Sequence, residues 1–130
     1  YLLDTNIVSY IVKNQNYKLI DKLEEESKSH TLGVSTITVA ELYHGIIKKG
    51  SEKLAYKVTN VLLPLTKYDF DESAAFEYGK IKSDIEKSGK IIGSNDMLIA
   101  SHAKALKATL VTNNIKEFER IPELQVENWI

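Results

Sequence analysis

Tyr1-Leu2-Leu3-Asp4-Thr5-Asn6 opens the chain, and its reading decides the fold. A short apolar run ends abruptly in an acid and two small polar residues. That pattern predicts a first strand at Leu2-Leu3 whose end delivers a carboxylate into a turn. Ligands and chemistry gather at the carboxyl ends of strands in open α/β sheets. A strand this early is expected to lie mid-sheet, which puts Asp4 at the centre of that edge. A plainer reading stands beside it: Asp4 or Thr5 caps the following helix by accepting from its free N–H groups. The choice turns on whether other acids reach the same place.

Working outward, the chain alternates strands and helices. Ile7–Val12 reads as a short helix. Tyr17–Ser29 reads as a polar amphipathic helix with Leu19, Ile20 and Leu23 inward. Thr31–Ser35 is a strand. Val39, Leu42, Tyr43, Ile46 and Ile47 form a helical stripe, so the next helix is expected over Thr38–Lys49 and is stopped by Gly50. Ser51–Leu63 is helical up to Pro64, and Leu65–Tyr68 is a short extended piece. Asp71 caps a long helix that runs to Ser88 and ends at Gly89. Asn95–Leu106 is a helix rich in small residues (Ala100, Ala103, Ala105), which suits close packing on a sheet. Ala108–Thr112 is a strand, Ile115–Glu119 a helical turn and Val126–Trp129 a last strand. The alternation predicts an α/β layered fold with a largely parallel central sheet flanked by helices.

Length and composition fit one domain over residues 1–130 with a real core. No repeat, linker or low-complexity segment breaks it. The formal net charge is -1, so no global positive field marks a nucleic-acid binder. Cysteine is absent, which removes disulfides, thiolate zinc sites and Cys nucleophiles. That suits a reducing cytoplasm, the expected location. No stretch is long and apolar enough to span a bilayer, and no basic-then-apolar signal appears.

Two further acids belong with Asp4. Glu41 falls in the first turn of the helix after the second strand. Thr38-Val39-Ala40-Glu41 also fits a capping box, in which the Glu would serve its own helix. Asp96, in Gly93-Ser94-Asn95-Asp96, starts the helix that leads into strand Ala108–Thr112. It too could act as a cap, favoured by the helix dipole. Each acid alone has a structural explanation. Three acids on one edge of one sheet would repel and raise each other's pKa values. A divalent cation removes that cost, and oxygen-only donors select Mg²⁺ or Mn²⁺.

These stretches resemble the PIN-domain ribonucleases, and specifically the VapC-type toxins of bacterial toxin–antitoxin pairs. The resemblance is carried by Leu3-Asp4-Thr5-Asn6, by Ser35-Thr36-Ile37-Thr38-Val39-Ala40-Glu41-Leu42 with Gly45, and by Ile92-Gly93-Ser94-Asn95-Asp96-Met97-Leu98-Ile99-Ala100. Leu110-Val111-Thr112-Asn113-Asn114, Glu117-Phe118 and Val126-Glu127-Asn128-Trp129 complete it. It spans nearly the whole chain in order. It implies a PIN-like three-layer fold and metal-dependent cleavage of RNA, with Asp4, Glu41 and Asp96 as ligands of Mg²⁺ or Mn²⁺. Asn6 and Thr112 would order the site. Many such proteins carry a fourth acid after the strand that ends here at Thr112. Asn114 stands at one alignment of that acid and Glu117 at another, so the fourth ligand is open. The resemblance also implies a homodimer and a VapB-type antitoxin laid across the active-site groove, with DNA reached only through that antitoxin.

Granted a metal, a polarised phosphate and an activated water follow, with Asp4 or Asp96 oriented toward that water. In-line attack leaves a 5′-phosphate and a 3′-hydroxyl. His30, His44 and His102 are scattered; His44 and His102 read as helix-face residues. Lys48, Lys49, Lys53 and Lys57, and Lys80, Lys82, Lys87 and Lys90, are either RNA contacts or solvated faces balanced by nearby acids. Ile11, Val12, Leu54, Tyr56, Val58 and Val61 either complete the core or ask for a partner's cover. Two other classes compete. A phosphatase-like module would want a second acid just after Asp4, which Thr5-Asn6 lacks. A PIN-like scaffold without catalysis would fit a chain with Asn114 in the fourth place.

Overall fold

The computed structural model describes residues 1–13 and 16–130. Among them five short strands form one sheet in the order β3-β2-β1-β4-β5. The chain order is β1 (Leu2–Leu3), α1 (Thr5–Lys13), α2 (Tyr17–Ser27), β2 (Gly33–Ser35), α3 (Thr36–Lys49), α4 (Glu52–Leu62), β3 (Thr66–Tyr68), α5 (Glu72–Ser88), α6 (Ser94–Leu106), β4 (Leu110–Val111), α7 (Ile115–Phe118) and β5 (Val126–Glu127). Every pairing is parallel, with Leu2 opposite Gly33 on one side and Leu110 on the other. The first strand is therefore central, as its position in the sequence suggested. From β1 the chain winds outward to β2 and β3, then crosses back to β4 and β5. The reversal lies between β1 and β4, and the carboxyl ends of those strands flank the crevice where such sheets bind ligands.

Consecutive strand residues point to opposite faces, and this builds three layers. Leu2 and Leu110 join Ile81, Ile99, Ala100 and Phe118 in one buried cluster, under α5, α6 and α7. Leu3 and Val111 join Ile7, Val8, Leu19, Val58 and Trp129 in the other, under α1, α2 and α4. The alanines of α6 do what their size suggests: Ala100 and Ala103 are fully buried. Gly33 marks the tightest approach between strands. A Cβ there would stand 2.9 Å from the Thr66 carbonyl oxygen and against the Tyr68 ring. Gly50 and Gly89 close α3 and α5 in the left-handed conformation, at φ 62° and 71°.

Several expectations shift. The strands are shorter than the apolar runs that announced them, and α2 ends at Ser27 rather than Ser29. Helix α3 starts at Thr36, two residues early, because the Ser35 hydroxyl accepts the Ile37 N–H at 3.1 Å and takes the cap from Thr38. The α3 stripe is only partly inward: Val39, Leu42 and Ile46 pack on the core, while Tyr43 and Ile47 face out. On α1 and α4, Ile11, Val12, Leu54 and Val61 pack against the second cluster and Val58 is buried within it, so of that group only Tyr56 is mostly exposed. No described helix is long and apolar enough to cross a membrane.

Candidate active site

Asp4 is the first residue past β1 and is 3% exposed. Its main chain is pinned by a bond from its N–H to the Val111 carbonyl at 2.9 Å. Its carboxylate accepts the Thr5 N–H on Oδ1 and the Thr112 hydroxyl on Oδ2, both at 2.8 Å. Thr112 is the matching residue past β4 and is fully buried. Asp4 does begin α1, since its carbonyl accepts the Ile7 and Val8 N–H groups. Its side chain, however, is turned along the sheet edge. Burial pushes the Asp4 carboxyl up; the Thr112 and Thr5 bonds oppose that, and Glu41 and Glu117 add repulsion.

Glu41 is not a cap. With α3 starting at Thr36, it lies in the second turn and its carboxylate leaves its own helix. Oε1 accepts the Thr5 hydroxyl at 2.7 Å, a contact 36 residues apart in sequence. Asp96 is the third residue of α6, whose first turn carries no side-chain cap. Its carboxyl is pushed up to about 7, first by burial, then by Glu117, Asp4 and Glu41. Like charges around a partly dry site resist ionisation.

Glu117 stands with these acids. Its Oε1 accepts the Gly93 N–H at 3.0 Å and its Oε2 accepts the Asn114 side-chain amide at 2.6 Å. Burial works to raise its carboxyl, but the Gly93 and Asn114 donors, together with Asp96 and the Arg120 charge, outweigh burial and hold it below its usual value. Asp96 and Glu117 are thus pushed in opposite directions: fixed N–H donors favour the charged form of Glu117, and Asp96 has none. Asn114 is a brace, its own N–H held by the Thr112 hydroxyl at 3.0 Å. Asn6 donates to the Asn113 amide oxygen at 2.7 Å, while its own Oδ1 is buried without a hydrogen-bond partner among the described residues. A buried orphan oxygen is rare enough to need a reason.

Four acids thus act on one another's charge at the carboxyl edge of β1, β2 and β4. Among the described residues, no three His, Cys, Asp or Glu side chains close into a ready-made metal cage. Threonine and amide donors hold the carboxylates of Asp4, Glu41 and Glu117 in place. The donor set is oxygen throughout. Such a set fits a hard divalent cation.

Beside Glu41 and Thr5 a groove of about 390 Å³ runs between α1, α3 and α4, past Val12, Leu54 and Val58, with Lys13, Lys49 and Lys57 along it. A second cleft of about 420 Å³, near Leu23, Leu32 and Val61, opens at the opposite edge of the sheet, where β2 begins. It is remote from the acids.

The comparisons bear on this geometry. A family model described as PIN domain matches residues 1–124. The chain belongs to the PIN-domain family. Within that family it is similar to "Ribonuclease VapC2" of Rickettsia felis, 46% identical over 99% of this chain and 97% of that protein. It is 32% identical to the "tRNA(fMet)-specific endonuclease VapC" of Salmonella typhimurium over 99% of this chain and 97% of that one. Among solved structures, VapBC2 from Rickettsia felis bound to a promoter DNA fragment superposes at a TM-score of 0.96. It shares 45% identity and covers 100% of this chain and 98% of the other. This PIN domain thus falls with the VapC ribonucleases, and the parallel five-stranded sheet is the expected PIN-like fold.

Two residues of the PIN domain's edge escaped the sequence. Thr5 and Thr38 read only as helix-start residues, and nothing local says that their hydroxyls meet across α1 and α3. His102 is a helix-face residue, and its face is the buried one: it is 1% exposed, with Nδ1 2.7 Å from the Ser35 hydroxyl and the Phe70 ring edge-on at 5.5 Å. Burial pushes its imidazole down. His44 faces solvent as expected, and Lys48, Lys49, Lys53 and Lys57 are all exposed.

Proposed function

We propose that this chain is the toxin of a type II toxin–antitoxin pair: a divalent-metal-dependent endoribonuclease that cuts a structured cellular RNA such as a tRNA or rRNA. The observation that carries this is the meeting of Asp4, Glu41, Asp96 and Glu117, from four separate elements, at the switch point of the sheet. Residues 1–130 act as one nuclease domain, working in the cytoplasm.

Asp4, Glu41 and Asp96 would hold Mg²⁺ or Mn²⁺, with the Asn6 oxygen and Glu117 beside them. When bound, the ion supplies charge neutralisation for the scissile phosphate and a lowered pKa for water. The chain's own part is positional. Thr112 and the Thr5 N–H keep Asp4 aimed along the edge. Gly93 and Asn114 favour the charged form of Glu117, and a cation bound here would favour the charged form of Asp96 as well, its proton leaving to solvent. Asp4 or Asp96 then orients the attacking water and accepts its proton. Attack in line with the P–O3′ bond leaves a 5′-phosphate and a 3′-hydroxyl.

The groove beside Glu41 supports the antitoxin reading. Its apolar floor suits an extended or helical VapB-type segment, which would block RNA while it lies there. Homodimerisation rests on less of the apolar surface than the sequence suggested. The large exposed apolar side chains of α3, α4 and the residue that closes α4 are Tyr43, Ile47, Tyr56 and Leu63, and these would face a second copy. Sedimentation at micromolar concentration checks that state, and a monomer throughout would remove it.

The test of the activity is incubation of the purified chain with bulk tRNA, with Mg²⁺, with Mn²⁺ and with excess chelator. Cleavage only with metal, giving 5′-phosphate ends, is the expected result. Cleavage unaffected by chelator would overturn the metal-dependent reading.

A further inference from the structure

Thr5 directs both of its donors at acids. Its N–H goes to Asp4 Oδ1 at 2.8 Å and its hydroxyl to Glu41 Oε1 at 2.7 Å. One residue therefore bridges a carboxylate at the end of β1 and one carried by α3. The same hydroxyl lies 3.1 Å from the Thr38 hydroxyl. A hydroxyl has one proton to give. If Thr5 gives its proton to Glu41, Thr38 must give its own to Thr5. Thr38 is fully buried, so water does not compete for that bond. The result is a directed chain, Thr38 to Thr5 to Glu41, ending in a charge-assisted bond.

We propose that Thr5, braced by Thr38, is a positioning residue that presets the Glu41 carboxylate for the divalent cation. The proposal rests on the metal-dependent reading of the four acids. Glu41 reaches the site across a helix boundary on a long side chain with several rotamers. A free carboxylate of that kind must be ordered each time a cation binds. Thr5 orders it beforehand. It engages Oε1 alone and leaves the lone pairs of Oε2 available. Thr5 is itself stiff, being β-branched at the start of a helix, and its N–H ties the same unit to Asp4. Hydrogen-bond partners of ligating carboxylates act on metal affinity in this way. The alternative is that the Thr5 hydroxyl merely staples α1 to α3.

Calorimetric titration with Mn²⁺ alone, without RNA, separates the two. Thr5→Val keeps the shape and deletes the donor, and is expected to weaken Mn²⁺ binding about tenfold or more. Thr5→Ser restores the donor and should recover affinity to within about threefold of the parent. Thr38→Val frees the Thr5 rotor and should fall between them. In a Glu41→Gln background, Thr5→Val should cost little further affinity, whereas in an Asp4→Asn background it should still cost. That coupling is the signature of action through Glu41. Mn²⁺ affinity of Thr5→Val within about twofold of the parent would overturn the proposal, as would an undiminished loss in the Glu41→Gln background. If Thr5→Val does not fold, Thr38→Val decides: parent-like affinity there overturns the proposal and a loss supports it. A parent protein that binds no Mn²⁺ would instead overturn the metal-site reading itself, and this proposal with it.

Discussion

Replacing Asp96 by Asn should stabilise the metal-free protein, and the gain should grow with pH. In the fold the Asp96 carboxyl is pushed from 3.8 up to about 7 by burial and by Glu117, Asp4 and Glu41. In the unfolded chain it ionises at its ordinary value. Below that value both states hold the proton and Asp96 imposes no penalty. As pH rises toward 7 the unfolded chain gives up the proton before the fold does, so the folded protein loses stability. Above about 7 the penalty is complete and constant. A shift of roughly three units at about 1.4 kcal/mol each sets a ceiling near ~4 kcal/mol. Asp96 is partly open to solvent, and screening brings the expected value to about 1–2 kcal/mol. Asn keeps the shape and carries no charge, so the variant's profile lacks this fall. The assay is thermal unfolding of both proteins in chelator from pH 4 to 8.5. The Tm gap should be near zero at pH 4 and reach about 3–8 °C by pH 8, in favour of Asp96→Asn. Adding Mn²⁺ should stabilise the parent and leave the variant nearly unmoved. Parallel profiles, or a variant less stable than the parent at pH 8, would refute the convergence of like charges.

Three other substitutions test separate parts of the structure. Asn114→Ala removes the amide that holds Glu117 and should slow RNA cleavage about tenfold, less than loss of any carboxylate among Asp4, Glu41 and Asp96; a loss as large as theirs would make Asn114 a ligand rather than a brace. Gly33→Ala forces a Cβ against the Thr66 carbonyl and the Tyr68 ring and should cost about 1–3 kcal/mol in urea unfolding, whereas an unchanged midpoint would mean that β2 and β3 can part freely. His102→Ala leaves a cavity and takes from the Ser35 hydroxyl one of its two partners, the Ile37 N–H remaining, for about 2–4 kcal/mol. Because burial lowers the His102 pKa, its contribution should be complete above about pH 6.5 and fade as pH falls through the folded value, so a deficit that widens on acidification would contradict its burial as a neutral ring.

What the sequence made legible was periodic or punctuated. Leu2-Leu3 followed by Asp4 announced a strand and its carboxyl end, Asp71 and Gly89 bracketed α5, and the alanines of α6 announced close packing. What it hid was long-range or competitive. Thr38 looked like the cap of α3, and only the fold shows Ser35 taking that place, which frees Glu41 from its own helix. The apolar side chains of α1 and α4 looked unpartnered because each helix alone has too many, yet Ile11, Val12, Leu54 and Val61 share one cluster. His102 read as a helix-face residue without saying which face, because nothing within its helix says that Ser35 and Phe70 will cover it. Glu117 and Asn114 could not be ranked from spacing. The donors from Gly93 and Asn114 separate them by fixing a charge on one and a bracing role on the other.

The central claim is that the acids at this sheet edge cut RNA with a divalent cation, and Asp4 is the most deeply held of them. The direct measurement is single-turnover cleavage of tRNA in Mn²⁺ by the parent and by Asp4→Asn, with both shown folded by their thermal transitions. Metal-dependent cleavage by the parent is expected, with its loss in Asp4→Asn and a Tm in chelator equal to or above the parent's. Undiminished cleavage by a folded Asp4→Asn protein would contradict it.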